Sequence, residues 1–268
     1  HRGAGLTAVN IVPVDDYLLS VVPEEMSTDW PAEALKAQSV AARSFALKSR
    51  GRHAAEGYDL CTTTHCPLYK GIASEKTAST AAVRATRGEV LTYGGQPIEA
   101  LFHTDSGGMT ESSEDVWGSH VPYLRAVRDT PLGTMPWTKT MSTANLEQKL
   151  AAKGHAIGRL RAIELSPLAI GRAAKDRTAS GRVRAMTVTG TKGSVTLSGN
   201  AWRSLLGLKS TLFSAKLTKD SVTFTGFGAG HGLGISQWGA KRLAETGKSY
   251  ADILHHYYTG VTLQHNSY

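Results

Sequence analysis

A chain of 268 residues with 41% hydrophobic and 19% charged residues has the composition of an ordinary globular protein, which excludes a disordered or fibrous chain. No apolar run reaches the roughly 18 residues that a membrane-crossing helix needs, so no transmembrane segment is expected. Thirty Lys and Arg against 22 Asp and Glu leave a net charge of +8, which points to an acidic partner. The basic residues come in twos and threes, as in Arg159-Leu160-Arg161 and Arg182-Val183-Arg184, and no run is long enough for a nucleic-acid arm; no nucleic-acid partner is expected.

Along the chain, Tyr17, Leu18, Val21 and Val22 share one helical face, and Pro23 predicts an interruption. Pro31 suits the first turn of a second, alanine-rich helix running to about Leu47, with Glu24-Glu25-Met26-Ser27-Thr28-Asp29-Trp30 as a tight connection before it. The stretch 74–87 predicts a third helix stopped by Gly88, and strand 89–93 is expected to pair with 96–103 across Gly94-Gly95. The middle third reads as scaffold, with a helix at 146–152 and strands near 161–165, 183–189 and 194–197. A strand at 222–225 leads into a glycine-rich loop and a helix from Ser236 to Gly247, and the capping box Ser249-x-x-Asp252 opens a last helix closed by Gly260. Helices and strands intersperse without a regular βα repeat, so the expected class is α+β: mixed, two-lobed, with a central groove. Residues 1–268 read as one domain, with 131–220 as a candidate second, scaffold lobe. His1-Arg2-Gly3-Ala4-Gly5 shows no signal segment.

Two glycine-rich loops mark places where backbone approaches something closely. Gly226-Phe227-Gly228-Ala229-Gly230-His231-Gly232-Leu233-Gly234 lies between a strand and a helix, but a dinucleotide fingerprint fails because His231, Leu233, Ile235 and Gln237 stand where glycines are needed. His231, flanked by glycines, has little local packing and is a candidate to meet a ligand. His103-Thr104-Asp105-Ser106-Gly107-Gly108 gathers polar groups at a strand end. A triad of Ser106, Asp105 and His103 or His231 can be drawn, yet no G-x-S-x-G elbow exposes the serine, and a sugar-binding loop ranks above a serine hydrolase.

Cys61-Thr62-Thr63-Thr64-His65-Cys66 offers two thiols and an imidazole, suited to zinc, with His103, His231 or a water needed as the fourth ligand. A Cys61–Cys66 disulfide suits the same spacing. Among the acidic residues Glu24, Glu25, Asp29, Glu111, Glu114 and Asp115, the default is a solvated side chain. Glu25 differs because Val21, Val22, Met26 and Trp30 are near it in sequence. Partial burial there would raise its pKa, as a general acid acting on a glycosidic oxygen requires, while Glu24 is expected to point outward.

Taken together the motifs resemble the sporulation stage II protein D / LytB (amidase enhancer) family. The resemblance is carried by Asp16-Tyr17-Leu18 through Val21-Val22-Pro23-Glu24-Glu25-Met26, by Ala41-Ala42-Arg43-Ser44, and by Tyr69-Lys70-Gly71. It continues through Phe102-His103-Thr104-Asp105-Ser106-Gly107-Gly108 with Thr110-Glu111, Gly207-Leu208-Lys209-Ser210-Thr211, and Gly230-His231-Gly232-Leu233-Gly234-Ile235-Ser236-Gln237-Trp238. It departs from the family where Thr104-Asp105 replaces paired serines and Trp238 a common tyrosine.

The resemblance implies an extracytoplasmic protein of bacterial peptidoglycan, secreted or associated with the wall or membrane. It implies a lytic transglycosylase that cleaves MurNAc–GlcNAc bonds in peptide-stripped strands and leaves 1,6-anhydro-MurNAc ends, with sporulation as its setting. The alternative is a non-catalytic glycan-binding module that enhances a cell-wall N-acetylmuramoyl-L-alanine amidase. The catalytic glutamate maps onto Glu25, the zinc ligands onto Cys61, His65 and Cys66, and substrate contacts onto Arg43, Tyr69, His103, Ser106, Gly107, Gly108, Thr110, His231 and Gln237.

Overall fold

The amphipathic stretch at the front of the chain forms α1 (Val14–Glu25) and runs through Pro23 rather than stopping there. Pro23 forfeits the bond to the carbonyl of Leu19, and the helix is carried past it to its end, where Met26 N donates to Val22 O (3.0 Å). The structure, a computed structural model, describes residues 7–265 apart from 64 and 130. After α1 come α2 (Ala32–Lys48), α3 (Thr77–Ala85), β1 (Glu89–Tyr93), β2 (Gln96–Pro97), β3 (Phe102–His103), α4 (Ser113–Trp117), β4 (Trp137–Ser142) and α5 (Thr143–Ala151). The chain continues with β5 (Leu160–Glu164), β6 (Ala185–Gly190), β7 (Gly193–Ser198), α6 (Gly199–Leu206), β8 (Phe213–Leu217) and β9 (Ser221–Gly226). It ends in β10 (Ile235–Ser236), α7 (Gln237–Glu245), α8 (Tyr250–Tyr257) and β11 (Thr262–His265), so the class is α+β.

The chain divides into two compact units, residues 1–101 with 240–268, and residues 102–239; the stretch 131–220 lies within the second. In the first unit the alanines of α2 allow close packing: Ala34, Ala37, Ala41 and Ala42 are fully buried beside Leu18, Val21 and Val22 of α1. Arg43 is equally buried and ties this unit together, donating to Asp15 Oδ1 (2.8 Å), Glu89 O (3.1 Å) and Val83 O (3.3 Å). The Ser249–Asp252 capping box opens α8 as expected, but the helix ends at Tyr257, and β11 then pairs with β1 antiparallel (Glu89 with His265). The hairpin partner of β1 is only Gln96–Pro97. Pro97 has no N–H to extend the ladder, and Phe102–His103 pairs instead in parallel with β10 (Ile235 with Phe102, Ser236 with His103). The expected helix 74–87 is shorter, because Glu75 is extended (ψ 136°) between a 3-10 turn at Ile72–Ser74 and α3.

The second unit holds two antiparallel sheets, β4-β9-β8 and β5-β6-β7. Trp202 of α6, Leu146 and Leu150 of α5, Phe213, Phe224 and Val188 belong to their shared core. Burial alternates along β4, with Thr138, Thr140 and Ser142 exposed, but Lys139 stands on the more buried side between them, so the sequence of this strand lacks a clean polar–apolar alternation.

Candidate active site and metal centre

In the first unit, α1 ends in two adjacent carboxylates with different surroundings. Glu24 pairs with Lys70 and accepts from Ser74 Oγ (2.7 Å). Hydrogen bonding by Lys70, then by Ser74, holds its carboxyl below the ordinary range, so Glu24 is committed to the charged form. Glu25 is half-buried and accepts the backbone N–H of Leu68 on Oε1 (3.2 Å). The segment from Cys66 to Ser74 is therefore strapped along α1, with a further bond from Lys70 N to Ser20 Oγ (3.0 Å).

Tyr69 on this strap stacks on Tyr17 of α1, ring centroids 5.3 Å apart, and its hydroxyl accepts from Asn10 Nδ2 (2.8 Å). The Tyr17 hydroxyl is buried without a hydrogen-bond partner among the described residues. Burial first, then Cys66 and Glu25, push its phenol well up, which puts Tyr17 in the electrostatic neighbourhood of both.

The strap begins at the cysteine loop. Cys61 and Cys66 are not joined by a disulfide. His103 and His231, expected as a fourth donor, are not in the cluster found among the described residues, and His53 is: one donor atom each from His53, Cys61, His65 and Cys66 lies within 4.8 Å of the others. Tetrahedral zinc, with bonds of about 2.0–2.1 Å to nitrogen and about 2.3 Å to sulfur, places its ligand atoms roughly 3.3–3.8 Å apart. Here His53 Nε2 to His65 Nδ1 is 3.2 Å, Cys66 Sγ to His53 Nε2 3.7 Å, and Cys61 Sγ to His65 Nδ1 4.0 Å.

A carboxylate backs the cluster, as metal-ligating histidines commonly require. His53 Nδ1 lies 3.2 Å from Glu56 Oε2, which also accepts from the Tyr58 hydroxyl. Burial opposes ionisation of Cys61, but hydrogen bonds from Thr63, Cys66 and His65 outweigh it and bring the thiol down to about 6. The residues present thus fit a closed four-ligand zinc site. His53 was missed because it stands eight residues before Cys61, outside any compact spacing pattern.

In the second unit the two glycine-rich loops approach each other. Asp105 and Ala229 exchange backbone hydrogen bonds (3.0 and 2.9 Å). A Cβ on Gly228 (φ +68°) would stand 2.6 Å from Asp105 O and 2.7 Å from Gly107 N. Gly228→Ala is therefore expected to cost about 2–3 kcal/mol of stability, measured by denaturant unfolding; an unchanged midpoint would contradict this backbone contact.

The polar groups of these loops are turned inward. Ser106 is fully buried, donates to Asp129 Oδ2 (2.7 Å) and accepts from Gly108 N (3.0 Å), which replaces the drawn triad. Gly107 (φ +77°) and Gly108 (φ +122°) take turns that favour glycine. Buried Thr110 accepts from Val127 N (2.8 Å), and Gln237 is buried at the start of α7. Glu111 is not solvated: its Oε2 accepts from Thr178 (2.5 Å) and Ser180 (2.6 Å), and burial raises its pKa.

Both histidines are held by backbone. His231 Nε2 donates to Phe102 O and its Nδ1 accepts from Leu233 N (3.0 Å each), while His103 Nδ1 donates to Leu233 O (3.0 Å). Burial brings His231 down to about 4 and His103 well below its usual range, so both are neutral. The flanking glycines free His231 from local packing, but tertiary packing supplies its partners. Arg43, His103, Ser106, Thr110 and His231 thus have internal partners, whereas Tyr69 and Glu25 are half-buried.

Comparison with known proteins places this geometry. Residues 2–93 match the SpoIID family, described as Stage II sporulation protein, and residues 134–234 match a Domain of unknown function (DUF8618). Stage II sporulation protein D of Bacillus amyloliquefaciens is 34% identical, covering 96% of this chain and 75% of the relative. The protein of the same name from Bacillus subtilis is 33% identical, covering 98% and 77%. A protein of Bacillus subtilis named Amidase enhancer is 34% identical, covering 92% of this chain and 40% of its own length. The carboxylate pair at the end of α1 and the strap beside it lie within the matched front segment, and the chain belongs to the stage II sporulation protein D (SpoIID) family.

Proposed function

We propose that this protein is a lytic transglycosylase that acts outside the cytoplasm on the glycan strands of bacterial peptidoglycan, with Glu25 as its general acid and base. The observation that carries this reading is the division between the two adjacent carboxylates: Glu24 is committed to Lys70 and Ser74, while Glu25 faces the strap that carries Tyr69. In the first step the Glu25 carboxyl gives its proton to the glycosidic oxygen as the bond to C1 of the muramyl residue breaks. In the second the carboxylate takes the proton of the C6 hydroxyl as O6 closes onto C1. The products are a 1,6-anhydro end and a released sugar hydroxyl, and one carboxyl serves both steps where ordinary glycosidases need two. The Tyr69 ring suits stacking on a sugar face.

We further propose zinc at His53, Cys61, His65 and Cys66. With four protein ligands the ion would be structural, fixing the loop from which the Cys66–Ser74 strap departs. Glu56→Gln, which weakens the carboxylate behind His53, is expected to lower zinc affinity about tenfold, measured by chelator competition; an unchanged affinity would count against a His53 ligand.

A second reading is favoured by the relative named Amidase enhancer: a glycan-binding module that stimulates a partner amidase without cleaving strands itself. The two separate in one assay, with peptide-stripped strands and a cell-wall amidase tested against the parent chain and Glu25→Gln. Strand cleavage by the parent alone supports the enzyme. Equal stimulation of the amidase by both chains, with cleavage by neither, supports the module.

A further inference from the structure

The net charge of +8 lies wholly in the second unit; in the first, Lys and Arg balance Asp and Glu. The second unit's acids are largely committed: Asp105, Glu111 and Asp129 are buried, Glu114 pairs with Arg125, and Asp115 with Arg184. Its buried and half-buried arginines are Arg125, Arg177, Arg182 and Arg203. Arg125 holds Glu114 through two nitrogens (2.7 and 2.6 Å), Arg177 donates to Ser166 O and Gly181 O (2.8 Å each), and Arg182 donates to Ser106 O (2.8 Å). The side chain of Arg203, on α6, has no hydrogen-bond or ion-pair partner among the described residues, and its Nε is buried without an acceptor. Burial lowers its pKa with no acid to offset it. A half-buried guanidinium without a counter-charge is a cost that a bound anion removes.

Arg203 stands where the Gly-His-Gly loop meets the end of α6. Its carbonyl accepts from Leu208 N (2.9 Å), and the carbonyl of Lys209 accepts from Gly230 N (2.9 Å). On the same loop, Arg182 lies against Gly232, where a Cβ would be 2.8 Å from the guanidinium. The rings of His103 and His231, 5.4 Å apart, feel both arginines and stay neutral.

We infer that Arg203 is the anion-recognising residue of a carboxylate subsite beside the Gly-His-Gly loop, and that its ligand is the lactyl carboxylate of a muramyl residue freed of its peptide. This rests on the proposed glycan substrate. In a peptide-bearing strand the lactyl carboxyl is a neutral amide at the sugar; once the peptide is removed it is an anion, and a planar guanidinium takes it in two parallel hydrogen bonds. Arg203 thereby makes the protein a reader of peptide-free strands.

The test is binding by calorimetry on the Glu25→Gln chain, so that no strand is cut. The probes are a peptide-free muramyl oligosaccharide and the same oligosaccharide with its lactyl carboxylates converted to methylamides. The free-acid form is expected to bind about tenfold tighter or more. A further Arg203→Gln substitution removes the difference, and Arg203→Lys keeps part of it. Thermal unfolding of Arg203→Gln at or above the parent midpoint, as expected when no internal contact is lost, separates a lost site from a lost fold. Equal binding of both probes, an undiminished preference in Arg203→Gln, or tighter Arg203-dependent binding of poly(glycerol phosphate) would each overturn the subsite. Because cleavage plays no part, a preference retained while the parent chain cuts no glycan would uphold the subsite and sink only the transglycosylase chemistry.

Discussion

Glu25→Gln is expected to lower the rate of glycan-strand cleavage about 10²–10⁴-fold, the range that a positioned general acid–base contributes. The amide keeps the size of the carboxyl and can still accept from Leu68 N, so the thermal unfolding midpoint should stay near that of the parent chain. It can neither give the proton that the leaving oxygen needs nor take the proton of the C6 hydroxyl. Glu24→Gln is the control: it disturbs the contacts with Lys70 and Ser74 and is expected to retain most of the activity. If the two variants lost activity equally, the division of roles between the neighbouring carboxyls would be wrong.

Loss of the proposed zinc is expected to have the second large effect. Cys66 is both a donor of the cluster and the start of the strap, two residues before the Leu68 amide that holds Glu25. Cys66→Ser, or treatment with a strong chelator, should release one equivalent of zinc by elemental analysis and lower stability by at least about 3 kcal/mol in denaturant unfolding. Hydrogen exchange of the Leu68 and Lys70 amides should rise with it, because both bonds to α1 lie on the released strap. A protein as isolated with no zinc and no free thiols would replace the metal with a disulfide.

Much of the first unit is legible in the sequence because its signals are local. Pro31 and the alanines that follow mark α2, and Ser249 with Asp252 marks the start of α8. Pro23 misleads because the helix is held by the buried face of Leu18, Val21 and Val22, and that burial outweighs the one hydrogen bond the proline forfeits. The glycine loops are recognisable as close approaches, but what each approaches is the other loop, more than a hundred residues away, and no local pattern carries that. The same holds for His231, whose partners Phe102 O and Leu233 N are set by the pairing of β3 with β10, and for Arg43, whose acceptors come from α1, α3 and β1. Three of the four cluster donors lie within six residues and can be read directly; His53 belongs to them only through folding. Arg203 gives no signal in sequence, since what distinguishes it is that no acid was placed beside it.

The most direct measurement is mass spectrometry of peptide-stripped glycan strands after incubation with the purified chain. The account predicts products that end in 1,6-anhydro-muramic acid, formed by the parent and not by Glu25→Gln. Ordinary reducing ends, or strands left intact by the parent chain, would contradict it.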